Sequence, residues 1–139
     1  GNAENQNQVS GVIYEAPVIS FWESVEINGE SRFPWVPSSL FSYFKIFTEI
    51  RYGVDFDSMD FRYDLIDSQI PALLFHGDDD EWVPVSMSDF IASSRDYKYT
   101  YKRYENVGHV TAWNADPEDY RKTIKEFLNS LDKIFINSF

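Results

Sequence analysis

Apolar positions along this chain switch between two periods, and each switch marks an element. Residues 72–75 (Ala-Leu-Leu-Phe) form an apolar run with no helical period. It is too short for a stable helix and has the pattern of a strand buried on both faces, as in a parallel sheet. Gly77 ends the run with a sharp turn. Four acids follow, Asp78, Asp79, Asp80 and Glu81, before the apolar-proline stop Val83-Pro84. Residues 9–16 include Val12, Ile13 and Tyr14, which favour a strand, and Pro17 ends it. Residues 97–104 alternate Tyr with Lys, Thr and Arg, the period of a half-exposed strand. Lys98, Lys102 and Arg103 suit a sheet edge, where charge discourages pairing with other chains.

Helical spacing governs the remainder. Ser38 or Ser39 is positioned to cap a helix running to about Arg51, with Gly53 as its stop. Within it Leu40, Phe44 and Phe47, then Tyr43, Phe47 and Ile50, recur at three- and four-residue steps. That aromatic stripe reads either as a small helical core or as the roof of an apolar pocket. Before it, Asn28-Gly29 is a turn signal and Pro34 and Pro37 break the chain. Residues 55–67 read as a loop with one short helix. Ser86 or Ser88 caps a further helix to about Ser94, with Phe90 and Ile91 inward. Asp116 caps the clearest helix, Pro117 takes its first position, and Glu118 and Asp119 favour its positive end. Tyr120, Ile124, Phe127, Leu128, Leu131 and Ile134 share an apolar face there, with Lys122, Lys125 and Glu126 turned away. Strand, insertion, strand, helix, strand, helix predicts an α/β class with a parallel sheet.

Composition narrows the partners. The chain has 139 residues and a formal net charge of −11, from 23 acidic and 12 basic residues. Such a surface repels phosphate backbones and anionic membranes, so nucleic acid is excluded as an expected partner. No apolar stretch reaches the length of a membrane span. The absence of cysteine removes disulfides and thiolate metal sites, leaves the compartment open and is compatible with a reducing cytoplasm. No cofactor is implied. Residues 1–8 are a polar arm without signal-peptide character, and Gly1-Asn2-Ala3 reads as a tag remnant or as the interior of a longer protein.

The candidate chemistry gathers at the carboxyl edge of the sheet, where open α/β sheets place their ligands. Of the two histidines, His76 lies at the end of the buried strand and reads as structural, holding the turn by a hydrogen bond. His109 follows a glycine in the loop after the last strand, which makes it either a solvent-facing residue or a proton carrier. Any of the four acids after the neighbouring strand could orient it. The same acids could form a solvated loop or, least favoured, a divalent metal site, since they lack the spacing of a calcium loop.

His76-Gly77-x-x-Asp80-x-x-Val83-Pro84 followed by Gly108-His109 resembles the carboxyl-terminal half of the α/β-hydrolase fold. The likeness covers residues 9–131, and the stretch after His109, Val-Thr-Ala-Trp-Asn-Ala-Asp-Pro, is similar to esterase-like members of that family. It implies the last three parallel strands of the fold with flanking helices, formed by residues 9–17 and 67–139. It further implies an aromatic-rich cap or lid over residues 18–66. By the same resemblance Asp80 is the triad acid and His109 the triad histidine, while Asp78, Asp79 and Glu81 are turn-formers or surface. The family's Gly-x-Ser-x-Gly nucleophile elbow has no match among the glycines at 1, 11, 29, 53, 77 and 108. The resemblance therefore implies part of a serine hydrolase, inactive alone, and the aromatic insertion points to a small apolar acyl or aromatic substrate in the complete enzyme. It also implies a complementing amino-terminal half, or self-association through the first strand or the aromatic segment. The alternative is a non-catalytic binding or assembly module built on the same fold.

Overall fold

The chain is described by a computed structural model over residues 9–94 and 99–136, with side chains as far as residue 131. Three strands form one sheet: β1 (Val12–Glu15), β2 (Ala72–Gly77) and β3 (Tyr99–Tyr104). They lie in the spatial order β1, β2, β3, and both pairings are parallel. All six residues of β2 are buried, in keeping with the apolar run over 72–75 and with His76 sealed behind it. Its alternate residues serve two cores. Ala72 and Leu74 pack with Ile19, Val83, Met87, Ile91 and Tyr99 on one face. Leu73 and Phe75 pack with Tyr104, Val107, Ala112 and Phe127 on the other. β3 is an edge strand as expected, although Tyr97 and Lys98 lie outside the described residues.

The described residues also form six helices: α1 (Phe21–Arg32), α2 (Ser38–Tyr52), α3 (Arg62–Asp67), α4 (Val85–Ser94), α5 (Ala112–Ala115) and α6 (Pro117–Ile136). A 3-10 turn, Asp57–Met59, precedes α3. Met87 and Ile91 bring α4 onto one face of β2, and Phe127 brings α6 onto the other, so the sheet is covered on both sides. The Asp116 carboxylate accepts the N–H of Asp119 at 2.9 Å and caps α6 as its sequence predicts. Gly53 ends α2 in the left-handed region at φ 68°, its N–H bonded to Glu49 O at 2.9 Å.

Several expectations are corrected. Asn28-Gly29 is not a turn but lies inside α1. Gly29 is there for close packing, since a Cβ would sit 2.3 Å from the Phe41 ring of α2. The cap position of α2 is held by Pro37, and Ser38 is its first helical residue. Helix α4 starts at Val85, so Ser86 and Ser88 lie within it. The α2 stripe is not a core: Phe44 and Phe47 are 57% and 61% exposed, because α2 packs chiefly on α1 rather than on the sheet. Phe90 points outward because Met87 and Ile91 fill the core face of α4. Leu128 is likewise exposed, and Phe127 takes the buried position beside it. The first strand starts at Val12 rather than at residue 9, and the arm 1–8 and the Ile134 side chain lie outside the described residues.

Gly77 proves indispensable for a reason other than a turn. A Cβ there would meet the carbonyl oxygen of Val107 at 2.0 Å, because the exit loop of β3 crosses directly over the end of β2. Gly77→Ala is expected to destabilise the fold by about 3 kcal/mol or more, the upper end of overpacking, because a backbone carbonyl cannot rotate aside. Gly53→Ala faces open space and only the left-handed backbone penalty, so about 1 kcal/mol is expected. Urea melts of the two variants side by side check the contrast, and equal losses would contradict it.

Candidate active site

The loops leaving β2 and β3 are stitched together because their strands are neighbours. Asp78 N–H donates to Tyr104 O at 2.9 Å and Asp79 N–H to Val107 O at 3.1 Å. The Asp78 carboxylate accepts the N–H of Asn106 at 2.7 Å and lies 3.7 Å from the Arg103 guanidinium. Asp78 is thus a turn-former, while Asp79 and Glu81 are exposed.

Asp80 differs from its neighbours. Its side chain is fully buried. One carboxylate oxygen accepts the N–H groups of Trp82 (2.8 Å) and Val83 (2.9 Å), which fixes the rotamer. The other lies 2.8 Å from Nδ1 of His109, whose side chain is 37% exposed. Burial pushes the Asp80 carboxyl up, but the Val83 N–H, the His109 ring and the Trp82 N–H together outweigh it. The group is held below the usual carboxylate range. A carboxylate accepting at Nδ1 requires the Nδ1–H form of neutral imidazole, which leaves Nε2 with its lone pair as an acceptor.

His76 lies beneath this pair, fully buried. Its Nε2–H donates to Val83 O at 3.0 Å, and Nδ1 accepts from the Ser88 hydroxyl at 2.7 Å. Both partners are satisfied by a neutral ring, so His76 braces the acid loop as its place in the sequence suggests. Its Nε2 is 3.4 Å from the nearer Asp80 oxygen.

Three supports were not legible as site residues. From α1, Ser24 (3.2 Å) and Asn28 (2.6 Å) both donate to the carbonyl of Trp82, and the Arg32 guanidinium stacks 5.1 Å from the Trp82 ring. Asn28 had the sequence signature of a turn, which concealed this role. From β1, the Glu15 carboxylate accepts the N–H of Ala112 and the hydroxyl of Tyr120, each at 3.1 Å. Ser88 reads as a helix cap in sequence and is instead the buried partner of His76. Nothing local in the sequence marks Ser24, Glu15 or Ser88 for these contacts, which span 58, 97 and 12 residues.

The acids after β2 do not form a metal-ligating group. Among the described residues the acids close enough to share an ion are Glu49, Asp55 and Asp57, far along the chain, where Lys45 pairs with Asp57. No described helix is long and apolar enough to cross a membrane.

The esterase Pf2001 of Pyrococcus furiosus superposes on 91% of this chain with a TM-score of 0.56 and 19% identity. MGS-MChE2, an α/β hydrolase from a sediment metagenome of the Mar Chica lagoon, Morocco, superposes on 89% with a TM-score of 0.55 and 13% identity. The chain shares the fold of about half of each of these structures, an α/β arrangement of three parallel strands with flanking helices. It spans about half the length of these hydrolases, 48% and 52% respectively. In sequence, YqkD, an uncharacterised protein of Bacillus subtilis, is 29% identical over 62 residues, which are 45% of this chain and 20% of YqkD. No family model matches the sequence.

Within this hydrolase fold, the charge on Asp80 has a defined consequence for stability. Its carboxyl titrates lower in the folded than in the unfolded chain, where the value is about 3.9. The ionised form therefore stabilises the fold above that value, and the contribution disappears as pH falls through the lower, folded value. Asp80→Asn is expected to be less stable than the parent from neutrality down to about pH 4, with the gap narrowing below it. Urea melts across that range test this, and a gap that did not change with pH would contradict it.

Proposed function

We propose that Asp80 and His109 are the acid and the histidine of a serine hydrolase that cleaves ester or related acyl bonds. The observation that carries this reading is the 2.8 Å hydrogen bond between a buried, doubly anchored carboxylate and a half-exposed imidazole. The pair stands at the carboxyl ends of adjacent parallel strands in a hydrolase fold. The nucleophilic serine belongs to polypeptide beyond these 139 residues, since no Gly-x-Ser-x-Gly occurs within them. In that protein His109 Nε2 takes the serine proton and returns it to the leaving group. Asp80 holds the Nδ1–H tautomer and stabilises the imidazolium without being protonated itself.

Residues 18–66 are the cap of this enzyme. In support, α1 and α2 enclose a groove of about 660 Å³ lined by Val25, Phe33, Leu40, Phe41, Phe44 and Phe47, among others. A groove of that lining suits a small apolar acyl or aromatic substrate. The same exposed aromatic face favours a second reading, a non-catalytic binding module in which α2 grips a partner. It also supports self-association, together with the outer edge of β1, where Ile13 is 40% exposed.

The chain alone is expected not to turn over p-nitrophenyl butyrate, whereas the polypeptide extended through its nucleophile should do so. In that polypeptide Asp80→Asn should lower kcat by about 10⁴-fold and His109→Ala by about 10⁶-fold. Full activity in either variant would overturn the assignment and leave the binding module. Sedimentation of the chain at micromolar concentration is expected to show dimers or larger species, and a monodisperse monomer would remove the self-association.

A further inference from the structure

His109 is followed by an unusual piece of backbone. Val110 sits at φ 51°, in the left-handed region that a β-branched residue enters only under constraint. A residue so placed costs about 1–3 kcal/mol and persists only where its surroundings over-determine it. Asp79 N–H on Val107 O holds the loop before the kink, and the Thr111 hydroxyl on Gly108 O, at 3.0 Å, spans it. Both contacts lie within the exit loops themselves. Downstream, the first hold on the rest of the fold is the N–H of Ala112, a residue 1% exposed, and it is met by Glu15 from the far side of β2.

The position of Glu15 makes it a rigid support. It is the last residue of β1, in register with Phe75 of β2. Its second oxygen is fixed by Tyr120, whose ring stacks on Phe75 at 4.1 Å and meets Trp113 edge-on at 5.5 Å. Burial, then the hydrogen bond from its hydroxyl to Glu15, pushes the Tyr120 phenol up to about 12, so it remains a donor at any working pH. The carboxylate is therefore clamped between a strand end and two aromatic-packed helices. It presents one oxygen to the peptide three residues after His109.

We propose that Glu15 is a positioning residue for His109: by fixing Ala112 N–H it holds the left-handed kink at Val110, and the kink keeps the imidazole against Asp80. The inference rests on the Asp80–His109 reading and adds to it a third carboxylate that never touches the ring. Without the bond at Ala112, Val110 relaxes to an ordinary conformation and the preceding residue swings away from the acid. The amide oxygen of a glutamine can accept from Ala112 just as well, so the role needs an acceptor of the right length rather than a charge.

With two histidines in the chain, nitrogen-15 NMR of the imidazoles above their titration range reads the outcome directly. In the parent protein neutral His109 should be the Nδ1–H tautomer and His76 the Nε2–H tautomer. Asp80→Asn tests the underlying reading: an Nδ1–H tautomer at His109 that is absent from the parent, or unchanged in this variant, overturns the pairing itself and the inference with it. Given the pairing, Glu15→Ala should shift His109 to the Nε2–H form that dominates free imidazole, while His76 keeps its signature and reports that the core is intact. Glu15→Gln should retain Nδ1–H. If Glu15→Ala lowers the melting temperature yet leaves His109 in the Nδ1–H form, Glu15 is structural only and the proposal fails. If Glu15→Ala does not fold, Glu15→Asp, one methylene short of Ala112, replaces it under the same criteria. Val110→Gly provides a second arm, since it removes the penalty at the kink. In that background the tautomer shift caused by the Glu15 variant should be smaller, and an undiminished shift would refute the route through Val110.

Discussion

At Gly77 the backbone of β2 runs so close beneath the carbonyl of Val107 that no side chain fits between them. That contact holds the two exit loops as one body. The Asp78 and Asp79 N–H groups reach carbonyls of the other strand's loop, and the Asp78 carboxylate reaches back to Asn106. Asp80 and His109 are 29 residues apart in sequence, yet they meet because their strands are hydrogen-bonded neighbours with this seam at their ends. Loosening the seam would separate the pair without removing either residue. A strand buried along its whole length thus has a consequence at its end: it places two loops within reach of each other.

Around that seam the electrostatics are asymmetric. The acid has no exposed side-chain surface and accepts two backbone N–H groups, so its charge is retained by hydrogen bonding rather than by solvent. The histidine is more than a third exposed and can exchange protons with its surroundings. The second histidine, equally close to the acid loop, is sealed and satisfied on both ring nitrogens. The same residue type therefore stands in two different settings, one sealed and one open to solvent.

The sequence was legible where one local rule dominated. The apolar run of β2, the Asp116-Pro117 start of α6 and the left-handed Gly53 each depend on near neighbours, and each came out as read. The order of elements was enough to place Asp80 and His109 at one edge. Misreadings arose where distant contacts overrode local preference. Asn28-Gly29 has turn chemistry but lies in a helix, because the asparagine bonds a carbonyl 54 residues away and the glycine admits Phe41. The stripe on α2 has the period of a core but little to pack on, since periodicity reveals a face and not what covers it. Glu15 was invisible for a related reason: its two partners lie 97 and 105 residues downstream, and a glutamate at a strand end has no local signature for either.

The two long helices between β1 and β2 are attached in unequal ways. Helix α1 is hydrogen-bonded through Ser24 and Asn28 to the same peptide whose N–H binds Asp80, and Arg32 lies on the Trp82 ring beside it. Helix α2 leans chiefly on α1, through Gly29 against Phe41 and Trp22 against Phe44. Lifting α1 would strip the acid loop of its outer anchors, whereas lifting α2 would leave them in place. Among the described residues the acid loop therefore takes its outer anchors from α1 alone, and α2 reaches it only through α1.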